Sequence, residues 1–433
     1  MSITHDILAF AAAQHSLPET VRADAERLLG DTLAGGAAGA NSKEARKLAG
    51  ALPSFGSGEA SRLLSGGKAQ APAAAFFNGF AIHCLEWDAV HEGAVVHALS
   101  VVTATLLAQS DQRGGGNPDN LITALAVGVD IASGLGISAT GPMAFFRPAT
   151  AGVIGAALAA ARLSALSPER YADVLGLAYS FAGGTMQAHV EASIALPLQI
   201  ANAARAAITA VALVEAGMDG PHDVLEGPFG YSRLLEPLDL ARYTRNLGQI
   251  WRISEVAIKP FPSGRASHGA LGELEALHRE GLRLGEVARI ELFAPPLIKR
   301  LVGRPYKPVM TAAYARLCLA ILAPMMLRDG LIDPDLFDCE ALHAPELIAL
   351  AGNVPVALDD NPDGNAMAPQ RLLVTLHNGR TIERPIAANL GSIAHPMSDG
   401  QLAAKYDLCR RLASADADAR IFDDPLSYMA EPT

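Results

Sequence analysis

Alanine and glycine crowd residues 151–161, and alanine crowds residues 201–212. Side chains this small let helix axes approach closely, so the first half of the chain is expected to be a tightly packed helical body. Helix starts can be read at several places. Ser16-Leu17-Pro18-Glu19 has the capping-box form, and Val21, Ala25, Leu28, Leu29, Thr32 and Leu33 follow at helical spacing. Asn117-Pro118 after Gly114-Gly115-Gly116, and Ser167-Pro168 ahead of Tyr171–Ala182, mark two more.

The pattern changes after Pro262. Residues 288–293 alternate polar and apolar, and residues 371–376 lead through Asn378-Gly379 into 381–383, the signature of a two-residue hairpin turn. Helices are expected between these strands, over Thr311–Asp329 and Pro345–Gly352. Ser398-Asp399-Gly400-Gln401 is another capping box. The fold class is therefore mainly α: a large all-helical domain over 1–262 and a smaller α+β lid domain over 263–397, followed by a helical segment over 398–433.

Length, 433 residues with 50% hydrophobic content and a mean hydropathy of +0.22, suits two globular domains. The apolar stretches at 98–108 and 149–161 are shorter than the roughly 20 residues a bilayer requires, so no spanning helix and no membrane partner are expected. Met1–Asp6 has no secretory form, which makes a cytoplasmic location the expectation. Cys84, Cys318, Cys339 and Cys409 lack CxxC spacing and read as free thiols. A formal charge of -11 and 5% aromatic content argue against a nucleic-acid partner.

The chemistry concentrates in residues 78–97, where His83, Glu86, Asp88, His91, Glu92 and His97 fall among apolar residues. Imidazoles beside carboxylates supply the donors and acceptors that reactions next to a carboxylate require. In a helix over Gly79–Val90, His83 would share a face with Trp87 and alone would read as a packed core histidine. The cluster argues otherwise, because buried ionisable groups without partners cost several kcal/mol. A metal site on His83, Asp88, His91 and His97 is the alternative, but the spacing is not that of HExxH and no metal is expected. Downstream, Lys259 precedes Pro260-Phe261-Pro262, a stiff loop that fixes where an ammonium points. A lone lysine of this kind would read as a snorkelling surface residue; Arg265 and His268 close behind it favour function.

These motifs together resemble the MmgE/PrpD family. The resemblance runs through Asn78-Gly79 with His83, Glu86, Asp88 and His91, through Pro148–Leu163, Pro197-Leu198, Lys259-Pro260-Phe261-Pro262 with Ser267-His268, and His395-Pro396-Met397-Ser398-Asp399 with Lys405-Tyr406. It implies 2-methylcitrate dehydratase, cis-aconitate decarboxylase or iminodisuccinate epimerase-like chemistry on a small carboxylate substrate, run without a cofactor. It also implies that the segment after Ser398 packs back on the helical body, making that domain discontinuous, and that the protein is a homodimer.

The chain departs from the family pattern in several places. Glu86 stands where an aspartate is typical, Ala98 follows His97 in place of a proline, Arg147-Pro148-Ala149 replaces histidine-proline-threonine, and Leu196 replaces a lysine before Pro197-Leu198. Arginine cannot exchange protons near neutral pH. The expected catalytic set is His97, His91, Asp88, Glu86 and Lys259, with His83, Arg147, Arg265 and His268 binding substrate. Arg147 and Lys259 would hold the carboxylate, and His97 or the His91–Asp88 pair would move the proton. A lyase is expected, with dehydration ranked ahead of epimerisation and decarboxylation. The missing lysine and histidine also motivate a second reading, a binding protein that has lost catalysis; the missing charge argues against a tricarboxylate.

Overall fold

The computed structural model describes residues 3–164, 166–337 and 339–432, without the side chain of Cys339. It is mainly helical, with one four-stranded sheet and one two-stranded ribbon. Two hydrophobic cores divide the buried residues. The larger draws on Ile7–Ile258 and again on Cys409–Ala430, while the smaller runs from Phe261 to Leu390. Between them pass Lys259 and the loop that follows it.

Small residues set the helix spacing in the larger core. Helices Pro118–Ser138 and Arg147–Leu163 meet so closely that a Cβ on Gly155 would stand 2.3 Å from the Gly128 carbonyl oxygen. Helix Ala71–His83 crosses Ala195–Glu215 in the same manner, with Gly79 against Ala201 and Ala204. Asn117 caps the Pro118 helix, accepting from the amides of Asp119 and Asn120. The capping box read at Ser16 does not form: the helix begins at Glu19, with Pro18 before it and no side-chain cap. Ser167 caps nothing either; Pro168–Arg170 is a 3₁₀ turn leading into helix Tyr171–Ser180.

Two helices, Pro118–Ser138 and Ala195–Glu215, are long and apolar enough by length and composition to cross a bilayer, contrary to the expectation that none is. Most of each lies buried within the larger core, which accounts for the same composition. The helical domain also includes a short antiparallel ribbon, Ser61–Arg62 with Lys68–Ala69, so it is not purely helical.

In the smaller domain the strand order is Val356–Leu358, Val287–Ala294, Gln370–Leu376, Thr381–Ile386, with only the first pair parallel. Ile290, Leu292 and Ala294 turn inward, as the alternation requires, and a register shift between Val287 and Arg289 brings Val287 to the same face. Thr375 pairs with Thr381 and the Leu376 amide bonds the Arg380 carbonyl, so the turn has three residues rather than the expected two. Gly379 takes φ +84°, the left-handed residue that closes such a loop. The expected helix over 311–329 is interrupted: Ala312–Ala315 ends before an extended Cys318, and Leu319–Asp329 follows.

Ser398 and Gln401 form the reciprocal capping box at the start of helix Asp399–Leu412. That helix lies on Glu19–Ala40 through a buried Lys405–Asp31 ion pair of 2.5 Å, and Lys405 Nζ also donates to the Trp87 carbonyl at 3.4 Å. The C-terminal segment thus braces the backbone of the candidate site. Cys84, Cys318 and Cys409 are buried free thiols.

Candidate active site

The helix expected over Gly79–Val90 stops at His83. Glu86 takes φ +56°, a left-handed conformation that costs a residue with a side chain about 1–3 kcal/mol and breaks the helical path. Lys259 Nζ secures the turn by donating to the Glu86 carbonyl at 2.9 Å. Val90 and Ala257 then exchange both backbone hydrogen bonds, at 3.0 and 2.9 Å, and Trp87 Nε1 donates to the Pro260 carbonyl. These contacts bring two segments about 170 residues apart together.

Asp88 is the hub. Its Oδ2 lies 2.9 Å from His83 Nδ1 and 3.0 Å from His97 Nδ1, and accepts a hydrogen bond from the Ser100 hydroxyl. Its other oxygen stands 3.8 Å from Lys259 Nζ, which also donates to Glu86 Oε2 at 3.2 Å. The His97 contact has ion-pair distance without hydrogen-bond alignment. Burial alone would push the Asp88 carboxyl up, but the two imidazoles beside it hold it well below its usual range. Glu86 is likewise pushed up by burial and drawn down by Lys259, His83 and His97, to about 2.

The two imidazoles respond in opposite directions. For His83, burial pulls the pKa down but Asp88 and Glu86 outweigh it, and the net shift is upward. For His97, burial prevails over Asp88, helped by Lys259, and the shift is downward. Ring nitrogens that face an ionised carboxylate carry the proton, so both Nδ1 atoms are N–H and His97 Nε2 keeps a lone pair. The rings lie 4.9 Å apart, His83 favoured toward its protonated form and His97 toward its neutral form. The donor atoms of His83, Asp88 and His97 fall within 4.8 Å of one another, close enough for shared ion ligation. An ion there would meet the Lys259 ammonium, and both imidazoles already turn onto one carboxylate oxygen, so the geometry reads as a proton network.

A cavity of about 70 Å³ opens beside this network, lined by His83, Glu86, Glu92, Val95, His97, His189 and Arg265 with an apolar remainder that includes Met143, Phe146, Leu196 and Met367. Val95, like Glu86, is held in the left-handed region. A larger surface groove, about 220 Å³ around Asn41 and Phe337, contains none of the network's residues, and its Arg411 and Asp335 are paired with each other.

Four expected site residues lie elsewhere or act indirectly. His91 turns away: its Nδ1 accepts from the Ala94 amide at 3.1 Å and its Nε2 meets Glu255 at 2.9 Å, leaving no nitrogen for Asp88. Arg147 is buried in a two-pronged pair with Glu236, at 2.5 to 2.8 Å, and does not line the cavity. His268 is buried behind Arg265, its Nδ1 facing Arg265 Nη1 at 3.2 Å, and burial next to that cation drives its pKa well down. Lys259 joins Glu86 and Asp88 as expected, but its fully buried ammonium sits behind the acids rather than in the cavity.

Arg265 does line the cavity. It donates to Glu92 at 2.8 Å, the Leu390 carbonyl at 2.6 Å and, loosely, the Asn389 carbonyl, leaving one Nη2 proton uncommitted. His189 was not expected. Its sequence signal is slight, three polar residues, Gln187, His189 and Glu191, alternating with Ala188 and Val190 shortly before the Leu196 departure.

Residues 8–241 match the MmgE/PrpD N-terminal domain and residues 261–424 match the MmgE/PrpD C-terminal domain. The chain belongs to the MmgE/PrpD family. It is 29% identical to the human cis-aconitate decarboxylase over 360 residues, covering 77% of this chain and 71% of that protein. Over 447 residues it is 24% identical to a cis-aconitate decarboxylase of Aspergillus terreus, with 96% and 90% covered.

Proposed function

We propose that this protein is a lyase acting on a small carboxylic acid by proton transfer at the carbon next to a carboxylate. The reading rests on one observation: two imidazoles share the Asp88 carboxylate while their environments push their pKa values apart. His97 is the base and His83 the acid. In dehydration, His97 Nε2 takes the proton from the carbon next to the carboxylate, the bond from the neighbouring carbon to its hydroxyl breaks, and His83 protonates the departing oxygen to give water. Arg265 offers its remaining N–H to the carboxylate whose charge grows as the proton leaves. Asp88 positions the pair and offsets the charge on His83, while Lys259 offsets Glu86 and Asp88.

Decarboxylation is the second reading, supported by the activity for which the similar proteins are named and by the apolar remainder of the cavity, which favours loss of a charged carboxylate as neutral carbon dioxide. Both readings use the same pair. Proton NMR in deuterated water with a panel of small hydroxy and unsaturated acids, run beside a carbon-dioxide release assay, separates them. Alkene formation without gas supports dehydration. His97→Ala should remove either activity, and turnover that survives it would end the assignment.

A further inference from the structure

The cavity holds an imidazole that the acid–base pair does not use. His189, in the short helix Gln187–Glu191, is 7% exposed and lines the same cavity as His83, His97 and Arg265. Arg304 backs it, donating from Nη2 to the His189 carbonyl and facing Nδ1 at 3.3 Å. A guanidinium has no lone pair, so His189 Nδ1 is the acceptor of that contact and the ring's own proton sits on Nε2. Burial, aided by Arg304, pulls the pKa of His189 down to about 4, which keeps it a neutral N–H donor through the physiological range.

Arg304 has a second feature. Its Nη1 is buried and has no hydrogen-bond partner among the described residues. The Tyr314 ring, 5.4 Å from its Cζ, and the Glu86 charge offset part of the cost of burying it, and a further anion would offset more. Elsewhere the cavity offers little positive charge that is not already paired: Leu196 supplies none, His83 is held by Asp88, and Arg265 has one proton to spare.

Building on the lyase reading, we propose that His189, polarised by Arg304, binds a second carboxylate of the substrate and so sets the enzyme's preference for a dicarboxylate. His189 Nε2–H meets the carboxylate directly, while Arg304 acts from behind, orienting the ring and contributing its charge.

The test measures binding and turnover separately. Isothermal titration calorimetry with succinate and with butyrate is run on the unmodified protein, His189→Ala, His189→Gln and Arg304→Met. Measuring two disruptive variants keeps the test decisive if one fails to fold. Succinate should bind about 10- to 100-fold more weakly to His189→Ala and to Arg304→Met, the loss expected for a hydrogen bond to a charged group. His189→Gln, which keeps an N–H in place of Nε2, should recover most of the affinity, and butyrate binding should change little in any variant. Unchanged succinate affinity in the disruptive variants, equal weakening of succinate and butyrate, or no succinate binding by the unmodified protein would overturn the proposal. If the binding contrast holds and no acid is turned over, the lyase reading fails alone; turnover without the contrast removes only the subsite.

Discussion

Replacing Asp88 by asparagine keeps the side chain's shape and removes the charge on which the proposed acid–base pair depends. At 2.9 Å from His83, that charge is worth about 6 kcal/mol at an effective dielectric near 20. Its attraction, with that of Glu86, is what overcomes the burial penalty on the His83 imidazolium. Without it, burial prevails and His83 joins His97 in the neutral form. The base survives while the acid is lost.

Loss of one partner in acid–base catalysis lowers the rate about 10²- to 10⁴-fold, and that is the fall in kcat expected for Asp88→Asn. Stability should suffer less. Removing one member of a buried ion pair usually costs about 3–5 kcal/mol, but here His83 sheds its charge by losing a proton and Lys259 keeps Glu86, so the cost is nearer 1–3 kcal/mol. Turnover is followed by proton NMR and stability by urea unfolding at neutral pH. A variant that keeps a rate within about threefold of the unmodified protein would refute the shared-carboxylate mechanism.

Acid should destabilise the fold, because buried neutral histidines must take up protons. The folded-state pKa of His189 is lowered to about 4 against an ordinary 6.5, so its contribution is present above 6.5 and lost as pH falls toward 4. Urea unfolding should show a slope of about 1.4 kcal/mol per pH unit from this group, and His189→Gln should flatten the curve by that amount; an unchanged slope would contradict it. Gly155→Ala places a Cβ 2.3 Å from the Gly128 carbonyl and should cost about 1–3 kcal/mol or more by forcing two helices apart, read as a lower melting temperature. We further propose the homodimer that the family resemblance implies: sedimentation should give twice the 45.1 kDa chain mass, and a 45.1 kDa species refutes it.

The parts of the site set by local sequence were legible, and those set by distant partners were not. The density of acids and imidazoles in 78–97 and the proline-stiffened Lys259 loop pointed to segments that meet in space. Nothing local showed that Arg147 would find Glu236, 89 residues on, or that His91 would find Glu255, 164 residues on. Both partners are ordinary acids in unremarkable contexts. The early helix stop failed for a related reason, since the left-handed Glu86 is held by a lysine from the far segment, against its own preference. The strands and the Asn378-Gly379 turn were readable because alternation and turn chemistry are local, and only the loop length differed.

The departures at 147 and 196 are coupled to the charge around the cavity. Asp88 and Glu86 face Lys259 and His83, whose protonated form they favour, so the network offsets much of its own charge before substrate arrives. Glu92 likewise offsets Arg265. An incoming anion must therefore be matched by the spare Arg265 proton and by Arg304 behind His189, with no lysine at 196 to add to them. Each further carboxylate on the substrate would enter a largely apolar space without a partner, at a cost of several kcal/mol. Under the proposed lyase reading a tricarboxylate is disfavoured on that ground. Restoring histidine at 147 alone would not reverse it, because Glu236 would then be left buried without its cation.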